Sequence, residues 1–269
     1  MTQHSPLADP ASWNLVDEWY AERGVHFVIP YARDAIALAA PTADARVLDV
    51  ACGPGTLALQ VAPAVAHVAA LDFAAAMIDR LRERATRAGL EVDARVGDGQ
   101  DLPWPDASFD AAFSMFGLIF FPDLGRGLRE LHRVLRPGGR AVIGSWMPFD
   151  ASNPLTALFA AMRAVMPESL PAGGGPPLGQ PDELAAALSA AGFVDVRVLP
   201  VTHEFRFADV DALWTFQVRG NAPIALLHQR LPPERWQAFE REALARLREA
   251  FGAGEVVYAQ TALLGLGVR

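Results

Sequence analysis

The sequence has no lysine; all 23 of its basic residues are arginine. That excludes chemistries that need an ε-amine or its ammonium: Walker A phosphate loops, Schiff-base catalysis and the Tyr-x-x-x-Lys pair of short-chain dehydrogenases. Cysteine is almost as scarce. Cys52 stands alone, so no internal disulfide can form, which fits a reducing cytoplasm. One cysteine and no paired histidine–carboxylate spacing give no metal site to expect. Positive charge is short overall. The net charge is −8, with no basic run to grip nucleic acid or an anionic membrane. Long apolar runs are missing too, since Ala111–Phe121 is about half the ~20 residues that a bilayer-crossing helix needs. Met1-Thr2-Gln3-His4 lacks the basic and apolar regions of a secretory signal. These gaps imply a cytoplasmic protein with no nucleic-acid partner and no membrane span; whether it forms a homodimer stays open.

What is present is an ordinary globular mixture, 52% hydrophobic and 20% charged over 269 residues, ample for one elaborated domain. Short apolar runs alternate with helical patterns. Strands are predicted at 46–50, 67–71, 92–96, 109–115 and 140–146. Helices are predicted at 12–40 (one or two), from about Thr56, at 74–88 with Gly89 as its stop, and at 124–135 before Pro137-Gly138-Gly139. Strand and helix in turn at this spacing predict βαβ units around a parallel, doubly wound α/β sheet. Farther on, Met166–Gln180 is rich in proline and glycine and reads as a loop or lid hinge. Helices are expected at 182–191, 209–220 and 232–251, and strands at 193–199 and 255–268.

The chemistry gathers after the first strand. Ala51-Cys52-Gly53-Pro54-Gly55 is small throughout, so a ligand can lie against the backbone where the chain enters a helix. Asp49 precedes the turn. Asp72 ends the next strand, nineteen residues past Gly53, where a carboxylate reaches a ribose diol in a doubly wound sheet. The turn Gly53-Pro-Gly-Thr-Leu-Ala58 alone also fits a loose dinucleotide fingerprint, so an NAD-dependent oxidoreductase stays open at this point.

Four further features converge: Asp98-Gly99 after strand three, Leu102-Pro-Trp-Pro-Asp-Ala-Ser-Phe-Asp110, Phe113-Ser-Met-Phe-Gly117, and Leu131-His-Arg-Val-Leu-Arg-Pro-Gly-Gly139. With the glycine turn they resemble the class I S-adenosylmethionine-dependent methyltransferases of the UbiE-like group, over residues 46–146. The resemblance implies a Rossmann-like seven-stranded sheet in the order 3-2-1-4-5-7-6, strand seven antiparallel. It further implies a helical cap over 1–45, a methyltransferase domain over 46–269, and helical acceptor-side insertions near 147–181 and 208–254. It assigns Asp49, Ala51 and Gly53 to the methionine part of the cofactor and Asp72 to the ribose. Phe73 and Met77 flank the adenine, Asp98 and Gly99 meet its amino group, and Ser114 and Met115 lie beside the methionine end.

The expected reaction is transfer of methyl to a small-molecule acceptor, aromatic or isoprenoid-like. The protein's task is mainly alignment and desolvation. Where the acceptor must lose a proton, His26 and His203 are the candidate bases. Tyr20 and Trp146 are candidates to touch the acceptor. The alternatives carried are the NAD-dependent oxidoreductase and a non-catalytic binder of S-adenosylmethionine.

Overall fold

The computed structural model describes residues 13, 24–150, 152–165 and 176–269. Seven strands form one sheet: β1 (Arg46–Val50), β2 (His67–Asp72), β3 (Asp93–Val96), β4 (Phe109–Met115), β5 (Leu135–Trp146), β6 (Val194–Phe207) and β7 (Val256–Val268). Their spatial order is β3-β2-β1-β4-β5-β7-β6. β7 runs antiparallel between β5 and β6, while the pairings of β1 through β5 are parallel. This is the Rossmann-like α/β sheet that the sequence resemblance implies.

The central strands are apolar on both sides because helices cover both faces. On one face Leu48, Val50, Leu71 and Phe109 meet α4 (Leu124–Val134) and α6 (Pro181–Ala190) through Leu128, Leu131, Leu184 and Leu188. On the other, Val47, Val68 and Phe113 pack on α1 (Ile29–Ala39), α2 (Ala58–Val61) and α3 (Ala75–Ala88). A third apolar cluster joins α5 (Pro154–Val165), α7 (Val210–Gly220) and α9 (Pro233–Phe251), closing on Val256 and Tyr258 of β7. It lies beyond the two faces and supplies one wall of the cavity below. No described helix is long and apolar enough to cross a membrane.

Some elements depart from the sequence reading. β6 runs to Phe207, not Leu199. It is an edge strand paired only with β7, so Pro200 interrupts nothing on its outer side, and its half-exposed alternation carries charged residues. β5 starts at Leu135, with a register shift before Arg140 that loops out Pro137-Gly138-Gly139. There Gly138, at φ +80°, donates its N–H to the Arg269 carbonyl. α5 and α8 (Ala222–Arg230), not read helix by helix, fall within the stretches near 147–181 and 208–254 where the resemblance implies helical insertions. α5 had a readable start, because the Asn153 side chain accepts from Leu155 N–H ahead of Pro154. Residues 166–175 of the Pro/Gly-rich run lie outside the described residues.

Candidate active site

The turn after β1 is strained. Ala51, Gly53 and Gly55 all have positive φ, at +54°, +53° and +82°. Contacts on its buried side hold it there: Cys52 N–H donates to Leu71 O at 3.1 Å, and Arg84 of α3 donates to Pro54 O at 2.5 Å. A Cβ on Gly55 would lie 2.2 Å from Leu81 Cδ1, whereas one on Gly53 would meet nothing within 4 Å. One glycine lets helix and turn close up, and the other leaves its open side to a ligand. Gly55→Ala is therefore expected to cost about 1–3 kcal/mol in stability, read as a lower denaturation midpoint.

Beneath the turn lie two buried carboxylates. Asp49 Oδ2 accepts from Ala58 N–H at 3.1 Å, which ties β1 to the first turn of α2. Asp72 Oδ2 accepts from Gly53 N–H at 2.8 Å and its Oδ1 from Ala74 N–H at 2.9 Å. Asp72 thus holds both the glycine turn and the entry to α3. Burial pushes the Asp49 carboxyl up to about 8, against the Ala58 hydrogen bond and with a smaller push from Asp72. Burial raises Asp72 as well, although its backbone hydrogen bonds oppose the rise. A site that keeps carboxylates out of water at this cost is suited to a cationic ligand. Burial, then the charges of Asp72 and Asp49, raise the Cys52 thiol well above its usual range, so this residue serves as a small turn residue and not as a nucleophile.

The order of strands places this turn where the sheet changes direction. β1 has β2 on one side and β4 on the other, so their C-terminal ends flank a crevice. The ends of β1 and β4 nearly touch: a Cβ on Gly117 would stand 2.3 Å from Ala51 Cβ. Behind β3, Asp98 Oδ1 accepts from Gln100 N–H at 2.8 Å, and Gly99 lets Phe121 pack, since a Cβ there would lie 2.4 Å from its ring.

A cavity of about 740 Å³ opens from this crevice, within the ~300–1,000 Å³ usual for small-molecule sites. Asp49, Ala51, Gly53, Asp72, Phe73, Met77, Asp98, Gly99 and Met115 all line it. Ser114 does not. It projects from the other side of β4, fully buried, and its Oγ has no hydrogen-bond partner among the described residues. Trp13 joins Phe73 and Met77 in a small apolar cluster and meets Phe120 edge-on at 5.3 Å.

The far end of the cavity is walled by aromatic rings. Phe116 holds φ +62° at the end of β4 and stacks on Trp146 at 3.8 Å. Tyr31 meets both rings edge-on, and its hydroxyl donates to Gln260 O at 2.6 Å. Phe27 stacks on Phe205 at 4.0 Å and lies 5.5 Å from Trp146. Among the described residues that line this half, none is charged; Gln217, Asn221, Tyr258 and Gln260 are its polar groups.

Neither candidate base reaches the cavity lining. His26 is exposed in the 3-10 turn Gly24–Phe27. His203 lies within β6, not beyond it, because that strand continues to Phe207. It turns toward α1, where Nε2 meets Asp34 Oδ2 at 2.6 Å and the ring meets Tyr31 edge-on. His26→Ala and His203→Ala are each expected to leave turnover within about twofold of the parent in a methyl-transfer assay, as for substitutions remote from the reacting atoms. Tyr20 lies outside the described residues. The lining residues the sequence reading did not place at the site, namely Trp13, Phe27, Tyr258 and, on or just after α7, Phe216, Gln217 and Asn221, are brought together only by the tertiary fold. Among the described residues no cluster of histidine, cysteine and carboxylates is placed to hold a metal ion.

Comparison with known proteins bears on this geometry. Residues 47–139 match the family described as a methyltransferase domain. The chain is 34% identical over 216 residues to nocamycin O-methyltransferase of Saccharothrix syringae, covering 73% of this chain and 77% of that protein. It is 37% identical over 184 residues to the demethylmenaquinone methyltransferase of Thermus thermophilus, covering 61% and 80%. Among solved structures, the Bacillus YcgJ protein superposes with a TM-score of 0.60 at 21% identity, over 88% of this chain and 97% of that one. A Haemonchus contortus phosphoethanolamine-type N-methyltransferase, solved with S-adenosylhomocysteine, gives 0.55 at 16% identity over 89% and 52%.

Proposed function

The chain belongs to the class I S-adenosylmethionine-dependent methyltransferase family, and on that premise we propose that it methylates a small, apolar acceptor seated in the aromatic half of the cavity. The observation that carries the proposal is the division of one cavity into an acidic, glycine-walled end and an uncharged aromatic end. The names of the two relatives above, whose acceptors are small organic molecules, support the same reading. The net charge of −8 argues against a nucleic-acid acceptor.

The residues at the acidic end fit the cofactor. The open side of Gly53 would admit an amino-acid moiety against the backbone, with the buried Asp49 carboxyl available to its ammonium. Asp72 would accept from the ribose hydroxyls on the lone pairs its two backbone bonds leave free. Phe73, Met77 and Trp13 would sandwich the adenine, with Asp98 at its amino group. Met115, at the end of β4, faces the junction of the two halves.

Bound there, S-adenosylmethionine would supply an activated methyl group for the acceptor's lone pair, with the S–C electron pair leaving on sulfur. The chain's own part is alignment. The Phe116–Trp146 stack sets one flat wall and keeps water out of the line of attack. Among the described residues the lining of that half has no histidine or carboxylate. Incubation with S-adenosylmethionine and a panel of hydroxylated polycyclic aromatics, read by mass spectrometry, is expected to give products heavier by one CH₂. Cofactor binding with no methylated product anywhere in such a panel would instead mark a non-catalytic binder.

A further inference from the structure

Within the aromatic half the polar side chains stand out by what they lack: beside the buried Asn221 Oδ1, an acceptor with no partner among the described residues, two hydrogen-bond donors are unpaired. Tyr258 of β7 is 4% exposed and lines the cavity, its ring bracketed by Phe205 and Phe207. Among the described residues nothing hydrogen-bonds to its hydroxyl, and that oxygen is not sealed off from the cavity. Gln217 of α7 is 3% exposed and also lines the cavity. Its Oε1 is occupied by Asn221 Nδ2 at 3.2 Å, which leaves its own amide protons without a described partner. Burying a polar group unpaired is unfavourable, so both are expected to find partners in the molecule that fills the cavity. Each offers the same thing, a proton to donate. Burial holds the Tyr258 phenol above its usual value, so it stays protonated and donates.

We infer that Tyr258 and Gln217 are the specificity-determining donors for the acceptor, which is an apolar ring compound presenting a carbonyl-type oxygen to them. Resting on the proposed reading of this half as the acceptor site, the inference adds what the acceptor must carry. The aromatic side chains around these donors take the hydrocarbon part: Phe216 lies 6.0 Å from Phe27 and 5.2 Å from Phe207, and Tyr258 lies within 6.5 Å of both rings. With no charged side chain in the described lining of this half, a carboxylate or ammonium in the same place would go unpaired.

A matched pair of probes tests this: α-tetralone, and tetralin, which lacks only the carbonyl oxygen. Binding to the full chain is read by quenching of tryptophan fluorescence, with and without S-adenosylhomocysteine. The parent should prefer tetralone by roughly tenfold, the worth of about 1.4 kcal/mol of hydrogen bonding. Tyr258→Phe, which keeps the ring, should cut that preference to roughly threefold, and the Tyr258→Phe, Gln217→Leu pair should abolish it. Tetralin affinity should stay unchanged throughout, which a merely structural role for these residues would not produce. Equal binding of the two probes by the parent, failure of both to bind, or a preference surviving in the double variant overturns the inference. A parent that ignores S-adenosylhomocysteine overturns the reading of the cofactor end instead, and the tetralone comparison still decides the donors.

Discussion

Replacing Asp72 by asparagine is expected to weaken S-adenosylhomocysteine binding by roughly 30- to 150-fold, measured by calorimetry. The loss has two sources. The carboxylate is placed at the end of β2 by its bonds from Gly53 N–H and Ala74 N–H, one to each oxygen. Its remaining lone pairs are the acceptors a ribose diol needs. A carboxamide supplies only one acceptor oxygen and puts an N–H₂ against one of those backbone donors. Hydrogen bonds to a charged group are worth about 1.5–3 kcal/mol, so losing the ribose contact and loosening the turn together account for about 2–3 kcal/mol. Stability should change much less than affinity. The folded state already works against a buried charge here, as the upward displacement of the Asp72 carboxyl records, and the substitution removes that charge. An Asp72→Asn chain with undiminished affinity would remove the ribose assignment.

The second large effect is on pH. Burial raises the Asp49 carboxyl from the ordinary 3.8 to about 8, so folding favours its protonated form. Stability without cofactor is then fullest below the ordinary carboxylate range and is lost as pH climbs through about 8. Asp72, raised for the same reason, adds to the loss in the same direction. Binding answers with the opposite sign. A sulfonium and an ammonium favour the ionised carboxylates, so cofactor affinity should strengthen as pH rises, with a proton released on binding. If the cation lowers the carboxyl by about one unit, S-adenosylmethionine binds roughly tenfold tighter at pH 8.5 than at pH 6. Because the cofactor's own ammonium titrates in that range, Asp49→Asn is the reference, and its affinity should lack the rise. Titration in buffers of different ionisation heat counts the proton. Parallel profiles for the parent and Asp49→Asn would contradict the assignment.

How much of this was legible in the sequence follows from how local each feature is. The glycine turn, Asp49 before it, Asp72 at the next strand end and Asp98 after the third are each fixed by one strand and one loop. Their positions are therefore written within a few residues and come together once the sheet forms, while the roles proposed for them come from the resemblance. The alternation made a parallel sheet legible, and the strand order came from the resemblance alone. Ser114 shows where local reasoning stops: the end of β4 was readable, but Ser114 and Met115 project to opposite sides of the strand, and Met115 alone lines the cavity. The aromatic half is non-local. Phe27, Trp146, Phe216 and Tyr258 come from a 3-10 turn, β5, α7 and β7, and nothing in their own neighbourhoods marks them as companions. His203 misled for a related reason. The strand was expected to end at Leu199, but an edge strand tolerates Pro200 and the charges around it, so His203 stays in β6 and pairs with Asp34.

The central claim is that the turn after β1, with Asp72 beside it, holds S-adenosylmethionine. The most direct measurement is a calorimetric titration of the purified chain with S-adenosylhomocysteine and, separately, with NADH. One equivalent of S-adenosylhomocysteine bound with a Kd in the micromolar range, with no heat from NADH, is the expected result. Binding of NADH with none of S-adenosylhomocysteine would contradict it.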